Sequence, residues 1–318
     1  MMKKMTLLGL VLLFSNTLYA AQTIDKTLSA SDTSRVSIEH HSGEAVIRTW
    51  DKPQVHVKGS LDSRAEGYVF EKRGNEIRFE VKMPKSYGSN WPDWNKEEDE
   101  LEIFVPASSF VEYETINADL NASGIHGGVE FSAVNGEVRV SDIKGSIRIS
   151  TVNGEIISQG LVGNISLNTV NGSIRDKGSD GDEVVYESVN GDIYAQTQVA
   201  RVKLETVNAD SELVLGRTEQ LRASNVNGDT RVSLELAPNG EVRASSVSGS
   251  LAFRFQKEVS ARFDVNGHAG GDLRNRLTDD KADKAKYGPS RWLKFTTAEG
   301  SGRVNVSTVS GTVTLSHY

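Results

Sequence analysis

The sequence predicts an all-β fold, a single-stranded parallel β-helix (solenoid) of about 18-residue rungs with two long loop insertions. Glycine recurs at every ninth position of one central stretch, at Gly136, Gly145, Gly154, Gly163 and Gly172. Val-Asn-Gly occurs at every second one of these glycines, which sets the repeat at 18 residues. The third observation is a regular alternation of apolar and polar residues between the glycines, which is typical of strands.

Apolar residues recur at fixed distances before each corner. If Asn-Gly marks a corner, the residues six, four and one positions before it should face a shared core; before Asn153 these are Ile147, Ile149 and Val152. All 27 such positions in nine units are apolar, whereas the 37% apolar background would give about ten. We therefore expect three buried columns. The third column consists of Ile116, Val134, Val152, Val170, Val189, Val207, Val226, Val247 and Val309.

The repeat is too short to hold a helical crossover between parallel strands. The remaining choices are a row of antiparallel hairpins or a coil whose turns stack as parallel strands. The equal register of the apolar positions favours the coil, because stacking places like residues on like at about 4.8 Å per rung.

A column of asparagines marks the corners. Asn tolerates the left-handed backbone of a tight corner, and stacked Asn side chains can hydrogen-bond to one another. We interpret the column as a structural corner ladder, formed by Asn117, Asn135, Asn153, Asn171, Asn190, Asn208 and Asn227.

Carboxylates follow the corners and offer an alternative interpretation. Calcium-binding β-rolls use a Gly-Gly-x-Gly-x-Asp repeat, and that glycine triplet is absent here. We therefore expect a solvated acidic column without metal, although a cation site remains the alternative. The column consists of Asp119, Glu137, Glu155, Asp192, Asp210 and Asp229.

The predicted domain organisation starts with a secretory signal peptide at residues 1–20, because Lys3 and Lys4 precede a short apolar run. That run is too short to span a bilayer, and no second long apolar stretch follows, so we expect no membrane span after signal removal. Residues 21–105 are expected to form an amino-terminal β region and cap with a loop at 84–102. Residues 106–318 are expected to form the repeat array, with a loop insertion at 267–291.

Two details of the flanking regions follow from the same patterns. Val36 and Ile38 before Ser42-Gly43 have the spacing of a first rung. A hairpin is expected at 73–75, and a short helical turn at 281–286.

Composition excludes several classes of function. The chain has no cysteine, which excludes disulfides, thiolate metal sites and a cysteine nucleophile. Loss of residues 1–20 would leave 34 basic and 43 acidic side chains, a formal charge of −9. That sign argues against nucleic acid as a partner, because phosphate binding needs clustered Lys and Arg.

The segment 84–102 interrupts the strand pattern and contains three aromatic residues, Tyr87, Trp91 and Trp94. Aromatic faces are frequent binding hot spots, so these residues are the predicted ligand contacts. The alternative is that they cover an open end of the coil, which would otherwise pair with other chains.

The order of motifs resembles the bacterial putative-adhesin family of β-strand-repeat domains of unknown function. The motifs are SGEAVIRTWD at 42–51, Val105-Pro106, TVNGEI at 151–156 and GRVNVSTVSGTVTL at 302–315, and the resemblance covers about residues 33–318. It implies an exported or envelope-associated parallel β-helix with adhesion as its inferred role. It implies no catalytic residues.

No motif of a hydrolase elbow, zinc protease or phosphate-binding loop is present, so we expect no enzyme and no cofactor. The enzyme alternative is a polysaccharide lyase or hydrolase in which Arg139, Arg148 or Arg175 would act with the corner carboxylates. His40 and His41 are expected in a surface turn.

The sequence therefore predicts an exported, non-catalytic protein of the bacterial envelope, an adhesin or a surface- or glycan-binding module. The expected location is the periplasm, cell envelope or extracellular space. The expected partner is a cell-wall or surface glycan or an envelope protein. The alternatives are a structural or envelope-stress accessory scaffold and, less favoured, the lyase or hydrolase.

Overall fold

The structure is a computed structural model that describes residues 22–84 and 98–318. The described residues form strands, turns and irregular segments and contain no helix, so the all-β prediction is confirmed. The predicted signal peptide lies outside the described residues, as do Tyr87, Trp91 and Trp94.

The described part of the chain contains 24 strands. The first six precede the array: β1 (Thr23–Ser29), β2 (Arg35–Trp50), β3 (Gln54–Ser60), β4 (Gly67–Arg73), β5 (Glu76–Lys82) and β6 (Asp99–Pro106). The next twelve follow without a long interruption: β7 (Phe110–Ser123), β8 (Val129–Asn135), β9 (Val138–Ser141), β10 (Lys144–Thr151), β11 (Ile156–Gln159), β12 (Val162–Thr169), β13 (Ile174–Ser188), β14 (Ile193–Thr197), β15 (Arg201–Asn208), β16 (Ser211–Asn227), β17 (Thr230–Ser246) and β18 (Leu251–Phe255). The last six are β19 (Ala261–Gly267), β20 (Asp272–Asn275), β21 (Asp283–Lys284), β22 (Arg291–Thr297), β23 (Gly302–Thr308) and β24 (Thr312–His317).

Strands one repeat apart lie side by side in parallel. β10 pairs with β8 and β12, so that Ile147 lies opposite Val129 and Ile165. The short strands that follow the corners do the same, because β11 pairs with β9 and β13 and Ile156 lies opposite Ile174. The 18-residue repeats therefore stack in register, as the equal spacing of apolar residues predicts.

β2 belongs to the same stack although 59 residues separate it from β7. It runs parallel to β7, with Val36 opposite Val111 and Ser42 opposite Asn117. On its other side β2 pairs in parallel with β5 and β6. The predicted first rung is confirmed, and the inserted chain adds a further layer beyond it.

Antiparallel strands cover both ends of the parallel stack. β4 pairs with β5, β3 with β6 and β1 with β3 at the amino-terminal end, and β22 pairs with β19 at the other. The predicted hairpin at 73–75 joins β4 to β5, with Gly74 at a φ of 62° in the left-handed region. Such strands keep the exposed edges of the rungs from pairing with other chains.

The last strands do not stack in the order in which they occur in the chain. β23 lies between β17 and β19, with Val304 opposite both Val242 and Phe263. β19 thus precedes β23 in the chain, but β23 lies closer to β17 in the stack.

Described parts of both predicted loop insertions form strands. Residues 99–102 belong to β6, and within 267–291 residues 272–275 form β20, which pairs in parallel with β24. The expected helical turn at 281–286 is wrong, because residues 283–284 form β21. Backbone pairing with neighbouring strands outweighs the polar composition of these segments.

The columns six and four positions before each corner are part of the core. Ile147 and Ile149 are 1% and 0% exposed, and the corresponding residues of the other rungs are also buried. The third predicted column is not part of the core, since Val152 is 40% exposed. That prediction was wrong for all nine residues.

Candidate functional site

Nine aliphatic side chains form an exposed column beside the corners. This column, which we call the aliphatic stripe, consists of Ile116, Val134, Val152, Val170, Val189, Val207, Val226, Val247 and Val309, all 38% to 46% exposed. Each residue of the stripe comes three residues after one buried position of its strand and five residues after the other, and both spacings are odd. Strand alternation therefore turns the stripe outward. A contiguous exposed apolar surface of this kind is characteristic of interaction sites.

The residues two positions before each corner face inward in place of the stripe. In the nine units of the array they are Ala, Ser or Thr except for Asn225, and several of them, including Thr151 and Thr169, bond to the backbone of the corner. The Oγ1 atom of Thr151 accepts a hydrogen bond from the backbone N–H of Gly154 at 3.0 Å, and Thr169 and Gly172 are arranged in the same way at 3.0 Å. These hydroxyls are therefore occupied within the turn.

The aliphatic stripe forms one wall of a groove along the stack. The groove spans eight described rungs, from His41, which lies opposite Ile116 in register, to Val226, and has a volume of about 1110 Å³. Seven intervals of about 4.8 Å give it a length of about 34 Å. Its floor is the inward column that contains Thr151 and Thr169.

The opposite rim of the groove is polar. It is formed by the residues three positions before each corner: Glu39, Glu114, Ser132, Ser150, Asn168, Glu187, Glu205 and Ser224. Three of the glutamates are in ion pairs, Glu39 with Arg78 at 3.0 Å and both Glu187 and Glu205 with Lys203 at 3.5 and 2.9 Å. The central three rungs of this rim are uncharged.

A buried polar cluster lies at the amino-terminal end of the groove. His40 Nδ1 lies 2.9 Å from the Tyr113 hydroxyl, and His40 Nε2 lies 3.1 Å from Asp99 Oδ2. The side chains of His40 and Asp99 are fully buried, and burial raises the pKa of Tyr113. The predicted surface turn is therefore wrong, because His40 and His41 both lie in β2, and His40 faces inward because it is an even number of residues from Val36. The cluster joins β6, β2 and β7.

The seven predicted corner asparagines form one hydrogen-bonded column. The Nδ2 atom of every Asn after Asn117 donates to the Oδ1 atom of the Asn one rung earlier, for example Asn153 to Asn135 and Asn171 to Asn153, both at 2.8 Å. The six bonds of the column measure 2.7 to 3.1 Å. The column lines the outer flank of the aliphatic stripe.

The acidic column after the corners also bonds from rung to rung. Asp119 Oδ1 accepts a hydrogen bond from the backbone N–H of Glu137 at 2.7 Å, and Asp192 Oδ1 accepts one from that of Asp210 at 3.0 Å. The described residues contain no group of three or more His, Asp or Glu side chains that could hold a metal ion. The four aspartates are thus engaged with the backbone of the next rung, whereas Glu137 and Glu155 pair with Arg139 and Arg175.

The three arginines of the enzyme alternative are all in ion pairs. Arg139 pairs with Glu137, Arg175 with Glu155, and Arg148 lies 3.9 Å from Glu130. They are spread over the outer surface and do not converge on one point. The proposed contribution of Tyr87, Trp91 and Trp94 stays a prediction.

Sequence reasoning missed the groove because it assigned every recurrent apolar residue to the core. The signal was present in the spacing: residues four and six before a corner share one face of a strand, and the residue one before the corner belongs to the other face.

Among the described residues, no helix is long and apolar enough to cross a membrane.

Several solved structures match the chain at low similarity. A putative cell adhesion protein from Clostridium sporogenes is 10% identical, with a TM-score of 0.24, and the alignment covers 93% of this chain and 100% of the other. A putative lipid binding protein from Parabacteroides distasonis is 11% identical, with a TM-score of 0.42 and coverage of 93% and 96%. A putative adhesin from Bacteroides fragilis is 12% identical, with a TM-score of 0.33 and coverage of 93% and 97%. Likenesses of this extent carry no information on function.

No curated protein matches the chain. The family described as Toastrack DUF4097 matches residues 33–316, which is most of the sequence and contains every rung of the stack. The chain therefore belongs to the family described as Toastrack DUF4097.

Proposed function

We propose that this protein is an exported, non-catalytic binding protein of the bacterial envelope and that the groove beside the aliphatic stripe is its binding site. The observation that carries the proposal is the unbroken exposure of nine aliphatic side chains in register along the stack. A folded protein exposes so much contiguous apolar surface at a cost in solubility, which a binding role offsets.

The shape of the groove favours an extended ligand over a compact one. We interpret the stack as a single-stranded β-helix, in which each turn of the coil repeats the same groove section. The groove is open along eight described rungs, so a linear molecule can contact many of them at once. This geometry suits capture of an envelope component better than enclosure of a small substrate.

The proposal of a non-catalytic role rests on the state of the ionisable groups around the groove. Catalytic acids and bases converge on one point and reach the substrate. Here the His40 side chain is fully buried between Tyr113 and Asp99, and Glu187 and Glu205 are paired with Lys203.

Export is part of the proposal and is supported by the pattern of residues 1–20, with Lys3 and Lys4 before a short apolar run. The ligand would then be met in the periplasm, at the cell envelope or outside the cell. The intact mass of the protein from the cell envelope fraction checks this part, and a mass that includes residues 1–20 would contradict it.

Retention of the purified protein on washed bacterial envelopes tests the groove. We expect saturable retention without new reducing or unsaturated ends, and we expect Val152→Asp and Val170→Asp to weaken it at least tenfold. Val214→Asp is the matched control, because Val214 is 46% exposed and does not line the groove. Equal retention of the three variants, with unchanged thermal unfolding, would rule out the groove as the site.

A further inference from the structure

The chemistry of the groove narrows its occupant. Among the described residues that line it there is no phenylalanine, tyrosine, tryptophan, lysine or arginine. Its central rungs offer the aliphatic stripe on one side and uncharged Ser132, Ser150 and Asn168 on the other. A sugar or a peptide bound there would exchange many hydrogen bonds to water for the few that Ser132, Ser150 and Asn168 offer, whereas a hydrocarbon chain loses none.

The groove is longer than one acyl chain. The hydrocarbon core of a bilayer is about 30 Å thick, so one chain of one leaflet spans about 15 Å. The groove is about 34 Å long. An unbranched chain also needs no match to the rung spacing, because it carries no side groups.

A basic ladder adjoins the carboxyl-terminal end of the groove. Lys203, Arg222 and Arg243 lie opposite one another in three successive rungs. Lys203 pairs with Glu187 and Glu205, and Arg243 pairs with its strand neighbour Glu241 at 2.7 Å. Arg222, between them, has no ion-pair partner among the described residues. Like charges stacked directly opposite one another are unfavourable, and an anion would relieve the repulsion.

The basic ladder lines a second hollow of about 480 Å³, which opens beside the groove. Glu205 and Ser224 line both hollows. The rim between them is formed by long glutamates at Glu187 and Glu205 and then by small serines at Ser224 and Ser245. The rim is therefore lower at Ser224 and Ser245 than at the glutamates, and a bound molecule can extend across it from the aliphatic stripe to Arg222.

We propose that the protein binds a lipid with one acyl chain and a phosphate head, with the chain along the aliphatic stripe and the phosphate at Arg222. The inference rests on the proposed binding role of the groove and names its ligand class. Apolar burial supplies the affinity for the chain, and the planar guanidinium of Arg222 recognises phosphate oxygens through paired hydrogen bonds. The serine hydroxyls of Ser224 and Ser245 are placed to donate further hydrogen bonds to the head.

Calorimetric titration with decyl, dodecyl and tetradecyl phosphate, below their micelle concentrations, tests the acyl chain. We expect Kd to fall about two- to fourfold per methylene, as burial of a CH2 group in a partly open groove predicts. The double variant Val189→Ser/Val207→Ser should flatten this dependence, because these residues lie two rungs and one rung from Arg222, and Val214→Ser should not. A Kd independent of chain length, or an equal effect of the two variants, would overturn the assignment of the chain.

The head group is tested with the same probes. Arg222→Gln should raise the Kd of dodecyl phosphate about tenfold, the loss expected for one charge-assisted hydrogen-bonding partner. Arg148→Gln is the matched control, because Arg148 lies in the same column four rungs away. We expect dodecylphosphocholine to bind more weakly and inorganic phosphate alone not to bind. Equal Kd values for the two variants, or binding of inorganic phosphate as tight as that of dodecyl phosphate, would overturn the phosphate site.

The two proposals can fail separately. If Val170→Asp lowers retention on envelopes but wild-type protein binds no alkyl phosphate, the lipid assignment is wrong and the binding role of the groove stands. If Val170→Asp leaves retention unchanged, the groove itself is not the binding site.

Discussion

The hydroxyl of Tyr186 donates a hydrogen bond to Oδ2 of Asp176 in the interior of the stack. The other oxygen, Oδ1, accepts hydrogen bonds from Ser158 at 2.7 Å and from Ser179 at 2.6 Å. The Asp176 carboxyl is thus fully provided with partners, yet none of them carries a positive charge. Burial raises its pKa above the ordinary value of 3.8, because the charged form loses its hydration.

This carboxyl should make the stability of the protein depend on pH. Below pH 3.8 it is protonated in both the folded and the unfolded chain. Above that value the unfolded chain ionises first, so the free energy of unfolding falls until the pH exceeds the raised folded pKa. Asp176→Asn removes the ionisation. We expect the variant to gain stability relative to wild type from pH 3 upward and then to level off in urea unfolding; a difference that stays constant up to pH 8 would contradict the raised pKa.

The orientation of the columns can be tested by placing a carboxylate at three positions of one rung. Ile149→Asp would bury an unpaired charge in the core and should cost several kcal/mol. Val152→Asp and Arg148→Asp lie on the outer face and should each cost less than about 1 kcal/mol. Denaturant unfolding measures all three. A loss of stability for Val152→Asp as large as that for Ile149→Asp would show that the third column belongs to the core.

Much of the fold can be predicted from the sequence because each rung repeats the same short-range pattern. Val36, Ile38 and Ser42 show the spacing of the array, and the structure places them opposite Val111, Tyr113 and Asn117. The insertion of β23 between β17 and β19 could not be predicted, because the motif shows that a strand joins the stack but not which strands it joins.

The groove and the buried polar groups escaped prediction for a different reason. Val152 and Ile149 are equally apolar in sequence, and only the parity of their spacing to the corner separates an outer from an inner residue. Asp176 and His40 are polar residues at inward positions. Their burial depends on partners such as Tyr186 and Tyr113, which come from neighbouring rungs and cannot be assigned from composition.

The asparagine column should contribute measurably to stability although it is exposed. Asn153→Ala removes one hydrogen bond donated to Asn135 and one accepted from Asn171, a loss of about 1 to 2 kcal/mol. The matched control is Asn121→Ala, because Asn121 is an exposed residue of β7 outside the column, and it should cost less than about 0.5 kcal/mol. Urea unfolding of both variants checks this, and equal losses would mean that the column is not structural.

The acidic column should be insensitive to divalent cations. Asp119, Asp192 and Asp210 each accept a backbone N–H from the next rung, and Asp229 pairs with Arg231 at 2.9 Å. Their charges are thus partly compensated without metal, so we expect neither EDTA nor millimolar calcium to change the Tm. Calcium at a free concentration of 100 times its Kd would add about 2.7 kcal/mol of stability, which corresponds to a rise in Tm of about 4 °C in a protein of this size. Such a rise, abolished by Asp192→Asn but not by Asp182→Asn outside the column, would show that the corners bind calcium.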